Sequence, residues 1–442
     1  MGSSLKKCWQ WQMVGVAWLL ASAAAAQDMP RVRHTIQALT APAMYGRGYV
    51  QQGEHKAATY LRKRFQQLGL QPLAPNYTQP FTLDVNTFPG VLEVRARSNC
   101  LFGGSRRFQP GIDFIAEPNS GGGRVVGRRI PFDTLVFTNA AARRQWLATD
   151  LRGRIVTIPS RQLARLQAPT FTDDSLRASL EAAAVRLALV PQKLTASLSA
   201  EQVPQIRLQL LADRWHELLP LLDVHVEASL KQQYQTQNVV GYILGRVQPD
   251  SFLVVTAHYD HLGQMGRQVY FPGANDNASG TAMLLELAAH YARPENRPAY
   301  SIVFIGFGAE EAGLVGSRYF VEHPLVPLRR IRFLLNLDLL GTGSEGATVV
   351  NGREFPAQFQ VLQRLNEAQR AIPNLAARGR AANSDHFPFS ESGVPAFFLY
   401  TRGGITAYHD VHDRAETLPL TAFSTLFDLL RTFLDALQLP RK

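Results

Sequence analysis

The C-terminal half of the chain, from about residue 227 to residue 442, alternates apolar stretches of strand length with stretches of helical periodicity. The strand-like stretches are Ser251–Ala257, Ser301–Phe307, Arg332–Leu337 and Ala396–Tyr400. Helical periodicity covers Ser279–Tyr291 and Thr421–Leu437. Strands that alternate with helices in this way build a sheet with helices on both faces. The sequence therefore predicts an α/β fold for this half.

Polar side chains follow three of these strands at the point where each strand ends. His258 comes directly after the first strand, Glu310 and Glu311 lie just beyond the second, and Asp338 follows the third. In open α/β sheets, sites form outside the carboxyl ends of the strands. We therefore expect these residues to meet at one edge of the sheet.

Two further residues belong with this group. Asp276 lies in the loop Gly273–Gly280, which is rich in Gly, Asn and Asp and can turn sharply enough to aim a carboxylate into a pocket. His409 follows the Gly403-Gly404 turn. Five nitrogen and oxygen ligands suit two divalent ions that share one carboxylate, and zinc accepts such mixtures. In the Glu310-Glu311 pair, one carboxylate can bind metal while its neighbour acts as a general base.

Cysteine contributes little to these possibilities. The chain contains only Cys8 and Cys100, which excludes a zinc site built from several thiolates. Any metal must therefore be held mainly by His and carboxylate groups. If Cys8 is removed with the N-terminal segment, the mature monomer has no internal disulfide bond.

The N-terminus has the pattern of a secretory signal peptide. Lys6 and Lys7 precede an apolar stretch from about residue 13 to residue 20, and the small residues Ala21 to Ala26 follow. We expect cleavage near Ala26 and a secreted or periplasmic mature protein without a stable membrane anchor. The formal net charge of +11 comes from scattered Lys and Arg residues, so we expect no nucleic-acid partner.

The rest of the chain divides into two zones. After the signal peptide at 1–26, residues 27–112 are expected to form the N-terminal part of the main domain. Residues 113–226 mix short strands and helices, contain few residues of catalytic type, and are expected to form a smaller inserted α+β domain. Residues 227–442 then complete the main domain.

The motifs of the C-terminal zone resemble the M28 family of zinc aminopeptidases. The resemblance rests on Ala257–Gly263, Gly273–Gly280, Ala309–Ser317 and Asn336–Asp338, with further similarity at Ser384–His386 and Gly393–Pro395. It implies a three-layer α/β/α sandwich with a mixed, mostly parallel sheet, and a peptide or protein substrate with a free N-terminus. The stretch Asp150–Val156 also resembles the protease-associated domain that is often inserted in this family.

The resemblance implies a role for each site residue and two zinc ions. His258 and Asp338 would bind one zinc, Glu311 and His409 the other, and Asp276 would bridge them. Glu310 would be the general base, Asp260 would orient His258, and Asp413 would do the same for His409. His412 is a rival to His409, which fits the tyrosine-histidine order of the motif better.

Three alternatives stay open from the sequence. A carboxypeptidase and a glutaminyl cyclase with one zinc could use the same fold, and a binding protein could have lost its metals. The complete set of ligand candidates argues against the last two.

Overall fold

The computed structural model describes residues 28–98, 104–215 and 219–438. The predicted signal peptide and both cysteines lie outside these residues. The helices are α1 (Met29–Thr40), α2 (Gly53–Gln67), α3 (Ala140–Ala148), α4 (Ser160–Gln167), α5 (Asp174–Glu181), α6 (Gly280–Tyr291), α7 (Val315–Glu322), α8 (Pro356–Gln369), α9 (His386–Glu391) and α10 (Phe423–Leu437).

The strands form two large sheets and one short hairpin. They are β1 (Gln71–Pro72), β2 (Thr78–Thr87), β3 (Leu92–Arg97), β4 (Ser105–Phe108), β5 (Phe114–Ala116), β6 (Gly123–Pro131), β7 (Ile155–Pro159), β8 (Val185–Val190), β9 (Ile206–Leu211), β10 (Leu221–Val226), β11 (Ser229–Ile243), β12 (Gln248–His258), β13 (Gln264–Met265), β14 (Val269–Tyr270), β15 (Tyr300–Phe307), β16 (Ile331–Leu337), β17 (Gly346–Val350), β18 (Leu375–Ala377) and β19 (Ala396–Arg402).

The first sheet has the order β1-β11-β15-β12-β16-β19-β17-β18, and β2 also pairs with β11. The strand β12 is parallel to β15 and β16, and β16 is parallel to β19, whereas β11 and β17 run antiparallel to their neighbours β15 and β19. The apolar centre of β12 is buried because helices cover both faces of this sheet. The prediction of a mixed α/β sheet is confirmed.

Helices on the two faces complete three layers. On one face, α1, α2, α6, α8 and α10 bury their apolar residues in one large cluster with the sheet. On the other face, Phe320 of α7 and Phe389 of α9 pack with sheet residues such as Val254 and Ile305. Almost every residue of α6 is buried, which matches its lack of a polar face. The architecture is the α/β/α sandwich.

The part of the chain between β2 and β11 forms a second module. The strands β2 and β11 themselves pair antiparallel in the first sheet. The sheet of the second module has the order β4-β3-β10-β6-β7-β8-β9-β5, in which β6 to β9 are parallel neighbours. The helices α3, α4 and α5 pack on this sheet in a separate apolar cluster. Two of its strands, β3 and β4, precede residue 113, where the sequence predicted the start of the inserted domain. That boundary, and the resemblance to a protease-associated domain, stay predictions.

Within the described ranges, none of the helices combines the length and the apolar character that a bilayer span needs.

Candidate metal centre

The carboxyl ends of three neighbouring strands define the site. The strand β12 ends at His258, opposite Phe307 at the end of β15. It is also parallel to β16, with Thr256 opposite Asn336, so that Asp338 reaches the same level as His258. Since these strands run in one direction, their ends place His258, Glu310-Glu311 and Asp338 at one edge of the sheet, as expected.

The carboxylate of Asp276 lies at the centre of the group. Its Oδ1 is 3.4 Å from His258 Nε2, and its Oδ2 is 3.1 Å from His409 Nε2. Each histidine also faces a second carboxylate: His258 Nε2 is 3.4 Å from Asp338 Oδ1, and His409 Nε2 is 3.1 Å from Glu311 Oε2. The five predicted ligands therefore form two half-sites that share Asp276.

The loop that carries Asp276 has an irregular backbone. It spans Ala274–Ser279 between Gly273, which has a φ of 61°, and the start of α6, and its Asp276–Asn277 peptide bond is cis. A Cβ on Gly273 would meet the carbonyl oxygen of Asp276 at 2.1 Å, so glycine is required at this close approach. Asp413 fixes the loop from the other side, because its two oxygens accept the backbone N–H groups of Asn275 at 2.8 Å and Asp276 at 3.0 Å.

Asp260 supports the glutamate pair. Its Oδ1 accepts the backbone N–H of Glu310 at 3.1 Å, and its Oδ2 accepts that of Glu311 at 3.3 Å. The carboxylate also lies 3.8 Å from His258 Nδ1, whose closer partner is the backbone carbonyl of Asp260 at 3.2 Å. Asp260 therefore sets the position of both glutamates relative to His258.

Glu310 and Glu311 have different surroundings. Glu311 Oε1 lies 2.6 Å from His261 Nδ1, in addition to the contact of its Oε2 with His409. A carboxylate oxygen of Glu310 lies within 4.8 Å of ligand atoms of His258 and Asp338. Loss of hydration, with a smaller effect of nearby carboxylates including Asp385, raises the pKa of Glu310 well above its usual range. A bound dication would lower that pKa again.

The partners of the remaining histidines differ in part from expectation. His409 Nδ1 contacts the backbone carbonyl of Ala196 at 2.9 Å, and Asp413 binds the Asp276 loop, so the expectation that Asp413 orients His409 was wrong. The rival His412 is exposed on the surface. His261, for which the sequence favoured a supporting or packing role, contacts Glu311, and the buried Asp385 lies near His258 and Asp338 although the sequence did not predict it in the site. The sequence signal for both residues was their position in the same short motifs as His258 and His386.

A cavity of about 200 Å³ opens next to the two half-sites. Its lining combines the carboxylates of the centre with aromatic side chains and one guanidinium group. The lining residues are Asp276, Glu310, Asp338, Leu339, Arg378, Asn383, Phe398, Tyr400, Tyr408 and His409. Among the described residues, no acidic side chain forms an ion pair with Arg378.

The chemistry of the donors fits bound metal. Several carboxylates, including Asp276, Glu311 and Asp338, lie together with little exposure to water, an arrangement that costs free energy without a compensating cation. Asp338 Oδ1 has no hydrogen-bond donor in the described part of the chain, although it faces His258 Nε2. Imidazole nitrogen and carboxylate oxygen are ligands that zinc accepts. The fold and the site together are those of an α/β protein equipped to hold divalent metal ions.

Comparison with known proteins agrees with this class. The sequence profile of Peptidase family M28 matches residues 238–434, from β11 to α10. Residues 238–434 thus resemble peptidase family M28 in sequence. The second module lies outside the matched range.

Curated relatives match part of the chain. Aminopeptidase YwaD of Bacillus subtilis is 34% identical over 177 residues, which is 38% of this chain and 37% of that protein. An aminopeptidase of Pseudomonas aeruginosa is 31% identical over 193 residues, 41% of this chain and 34% of its own. A glutamate carboxypeptidase 2 homolog of Caenorhabditis elegans is 30% identical over 184 residues, which is 39% of this chain and 22% of that protein. The matched region thus covers about a third or less of each relative.

Solved structures resemble the whole chain in fold. A Peptidase M28 precursor from Shewanella amazonensis superposes with a TM-score of 0.67 at 15% identity, over 94% of this chain and 95% of its own. The zinc aminopeptidase BSAP from Bacillus subtilis superposes with a TM-score of 0.65 at 20% identity, over 91% and 94%. At these identities the likeness extends to the fold alone.

Proposed function

We propose that this chain is an exported aminopeptidase that hydrolyses N-terminal peptide bonds with two zinc ions and a glutamate general base. The observation that carries the proposal is the Asp276 carboxylate, whose two oxygens face His258 and His409, each of which has a second carboxylate beside it. The match of residues 238–434 to the profile of Peptidase family M28 and the aminopeptidases among the relatives support the reaction class.

In this proposal the five ligands keep the roles that the sequence resemblance implied. His258 and Asp338 would hold one zinc ion, Glu311 and His409 the other, and Asp276 would bridge them. When bound, the two ions would polarise the scissile carbonyl group and lower the pKa of a water molecule held between them.

Glu310 is the proposed base. Its carboxylate lies beside His258 and Asp338 and lines the cavity, so it can reach a water molecule at the centre. It would accept the proton of the attacking water and deliver it to the leaving amine. Asp260 holds the backbone of Glu310 and thereby keeps the base at a fixed distance from His258.

The cavity supports a substrate with an apolar N-terminal side chain. Leu339, Phe398, Tyr400 and Tyr408 form an apolar wall next to the carboxylates of the centre. An aromatic or large aliphatic side chain would bury apolar surface there, at about 25 cal/mol per Å². The carboxylates beside this wall favour a positively charged α-amine on the same residue.

The test measures metal content together with hydrolysis by the purified mature chain. The substrates are leucine p-nitroanilide and its N-acetylated form, and inductively coupled plasma spectrometry gives the zinc content. We expect about two zinc ions per chain and cleavage of the free-amine substrate alone. One zinc ion, or equal cleavage of both substrates, would contradict the proposal.

Arg378 favours a second candidate, a carboxypeptidase. Its guanidinium group lines the cavity without an acidic partner among the described residues and is of the type that binds a terminal carboxylate. Cleavage of N-blocked dipeptides with a free C-terminal carboxylate, and loss of that cleavage in Arg378→Ala, would select this candidate.

A further inference from the structure

The connection between β8 and β9 leaves the second module and reaches the metal centre. Parallel neighbours in a sheet are usually joined by a helix, but residues 191–205 form no helix or strand here. We call residues 191–199 the strap. The strap runs along the loop that carries His409, from Thr406 to Asp413.

Ala196 of the strap forms two reciprocal hydrogen bonds with His409. The backbone N–H of Ala196 donates to the His409 carbonyl at 3.0 Å, and the His409 Nδ1 lies 2.9 Å from the Ala196 carbonyl. Because a carbonyl oxygen only accepts, this second bond requires a proton on Nδ1. In the neutral ring Nε2 is then unprotonated, and Nε2 is the atom that faces Asp276 and Glu311. The strap therefore selects the tautomer that a metal ligand needs.

Lys193 of the strap holds the turn around His409. Its Nζ lies 2.7 Å from Asp410 Oδ2 and donates to the Thr406 carbonyl at 3.0 Å. The Asp410 carboxylate in turn accepts the backbone N–H groups of Tyr408 at 3.3 Å and His412 at 2.8 Å. His409 has a φ of 53°, a left-handed conformation that a residue with a side chain adopts only when its surroundings impose it.

Apolar contacts anchor the strap between the two modules. Leu194 and Ala196 are buried in the same cluster as Val411, which is two residues from His409. That cluster also contains Leu262 and Phe271, which flank the Asp276 loop and the His258 motif in sequence. The strap is thus fixed to the second module and to the metal-binding loops at the same time.

We propose that the second module contributes to the metal centre through its strap, in which Ala196 and Lys193 are positioning residues for His409. The inference rests on the proposed function, in which His409 is a zinc ligand. Partners of a metal-bound histidine typically contribute ten- to a hundredfold in metal affinity. A substitution that loosens the strap should therefore weaken the binding of one zinc ion and leave the affinity for the other unchanged.

The first experiment compares zinc binding in the full chain with Lys193→Met, Lys193→Arg and Arg161→Met. The Arg161 variant is the matched control, because it removes an exposed charge from the same module away from the strap. Titration against a chelating indicator gives the two zinc affinities. We expect Lys193→Met to weaken one site by about two- to fivefold, with kcat reduced more than KM changes, because the partly exposed Lys193 acts on His409 only through Asp410 and Thr406. Lys193→Arg should restore much of the affinity, and Arg161→Met should match the wild type.

The second experiment observes the imidazole directly. Long-range ¹H–¹⁵N correlation spectra of the metal-free wild type should show a His409 Nδ1 proton that is bonded to the Ala196 carbonyl and exchanges slowly with water, and faster exchange of this proton in Lys193→Met. Unchanged zinc affinities in Lys193→Met would overturn the strap proposal, as would the same His409 spectrum in both proteins. A wild type that binds fewer than two zinc ions would overturn the proposed function instead, and the spectra would then decide the strap proposal by themselves.

Discussion

Glu310 and Glu311 are adjacent in sequence but lie at different distances from the histidines of the site. Adjacent side chains placed in this way can have different chemical roles. Both oxygens of Glu311 contact histidine nitrogens, His261 at 2.6 Å and His409 at 3.1 Å. Glu310 has no such contact within 4 Å among the described residues and lies beside the cavity. This difference supports the proposed roles of Glu311 as a ligand and Glu310 as the base.

This separation gives the first prediction. Glu310→Gln should lower kcat by about a hundred- to ten-thousandfold and keep both zinc ions, because only the proton acceptor is lost. Glu311→Gln should lose zinc affinity, since the amide is a weaker ligand than the carboxylate. Kinetics and metal content of both variants, with the exposed Glu322→Gln as control, check the assignment. A Glu310→Gln enzyme with near-normal kcat would refute it.

The second prediction concerns a carboxyl group behind the site. Glu54 is fully buried, and the titratable groups around it include Tyr234, His55, Lys231 and Asp260. Burial raises the pKa of Glu54 to about 8. Between about pH 4.5 and pH 8 the folded state keeps a proton that the unfolded state releases. The free energy of unfolding should therefore fall as pH rises through this window and level off above pH 8.

Glu54→Gln should remove this contribution, because the amide carries no charge at any pH. We expect the variant to be more stable than the wild type at pH 8, by roughly one to a few kcal/mol, and similar to it near pH 4.5. Urea unfolding of the metal-free chain at pH 5, 6.5 and 8 measures the difference, with the exposed Glu201→Gln as control. Equal slopes against pH in the wild type and Glu54→Gln would refute the prediction.

At the scale of elements, Arg47 joins the segment after α1 to the loops of the metal centre. Its buried guanidinium group donates to the carbonyl oxygens of Leu39 at 3.1 Å, Tyr259 at 2.8 Å and Pro272 at 2.6 Å. It also donates to Gly273 at 2.9 Å and Asp276 at 3.1 Å. One side chain thus fixes the loop that presents the shared carboxylate.

The third prediction follows from these five bonds. Arg47→Met should cost about 3 kcal/mol or more of folding free energy, because buried carbonyl groups would lose their donors. Arg47→Lys should recover little, since a single ammonium group cannot reproduce the planar fork. Thermal unfolding and zinc affinity check both variants, and Arg33→Met, which removes an exposed arginine from α1, is the control. Wild-type stability in Arg47→Met would contradict this reading.

The sequence was sufficient to predict that His258 and Asp338 meet at one edge of the sheet. It was not sufficient to predict which residues hold the surrounding loops in place. His258 and Asp338 follow apolar strands directly, so the direction of parallel strands alone brings them together. Arg47 donates to the backbone carbonyl of Asp276, and Ala196 contacts His409 through its own backbone, in each case across more than 200 residues of the chain. Such contacts have no residue-type signature. For the same reason, the sequences of β3 and β4 did not indicate that these strands belong to the second sheet.

At the scale of the whole molecule, one apolar cluster joins the two modules. Leu208 and Val224 of the second module share it with Leu262, Phe271 and Val411, which lie next to the metal-binding loops. Contacts of this kind couple the folding of two modules, because opening either one exposes apolar surface of both. Metal bound in the first module should then stabilise the second.

The last prediction uses this coupling. Zinc that binds only the folded state at a hundred times its dissociation constant contributes about 2.7 kcal/mol per site. Chelation should therefore lower the melting temperature, and the second module should melt together with the first in a single shifted transition. Calorimetry with zinc and with a chelator measures the shift, and tryptophan fluorescence follows the second module through Trp146, in its α3.

Asp276→Asn is the matched variant for this experiment. It removes the carboxylate that pairs with His258 and His409. Although burial opposes it, these two histidines hold the pKa of Asp276 well below its usual range, so the metal-free variant should melt below the metal-free wild type. Chelation should also affect it less, because the shared ligand is lost. Two separate transitions, with only the first shifted by chelation, would show that the modules unfold independently and that the common cluster does not transmit the stabilisation.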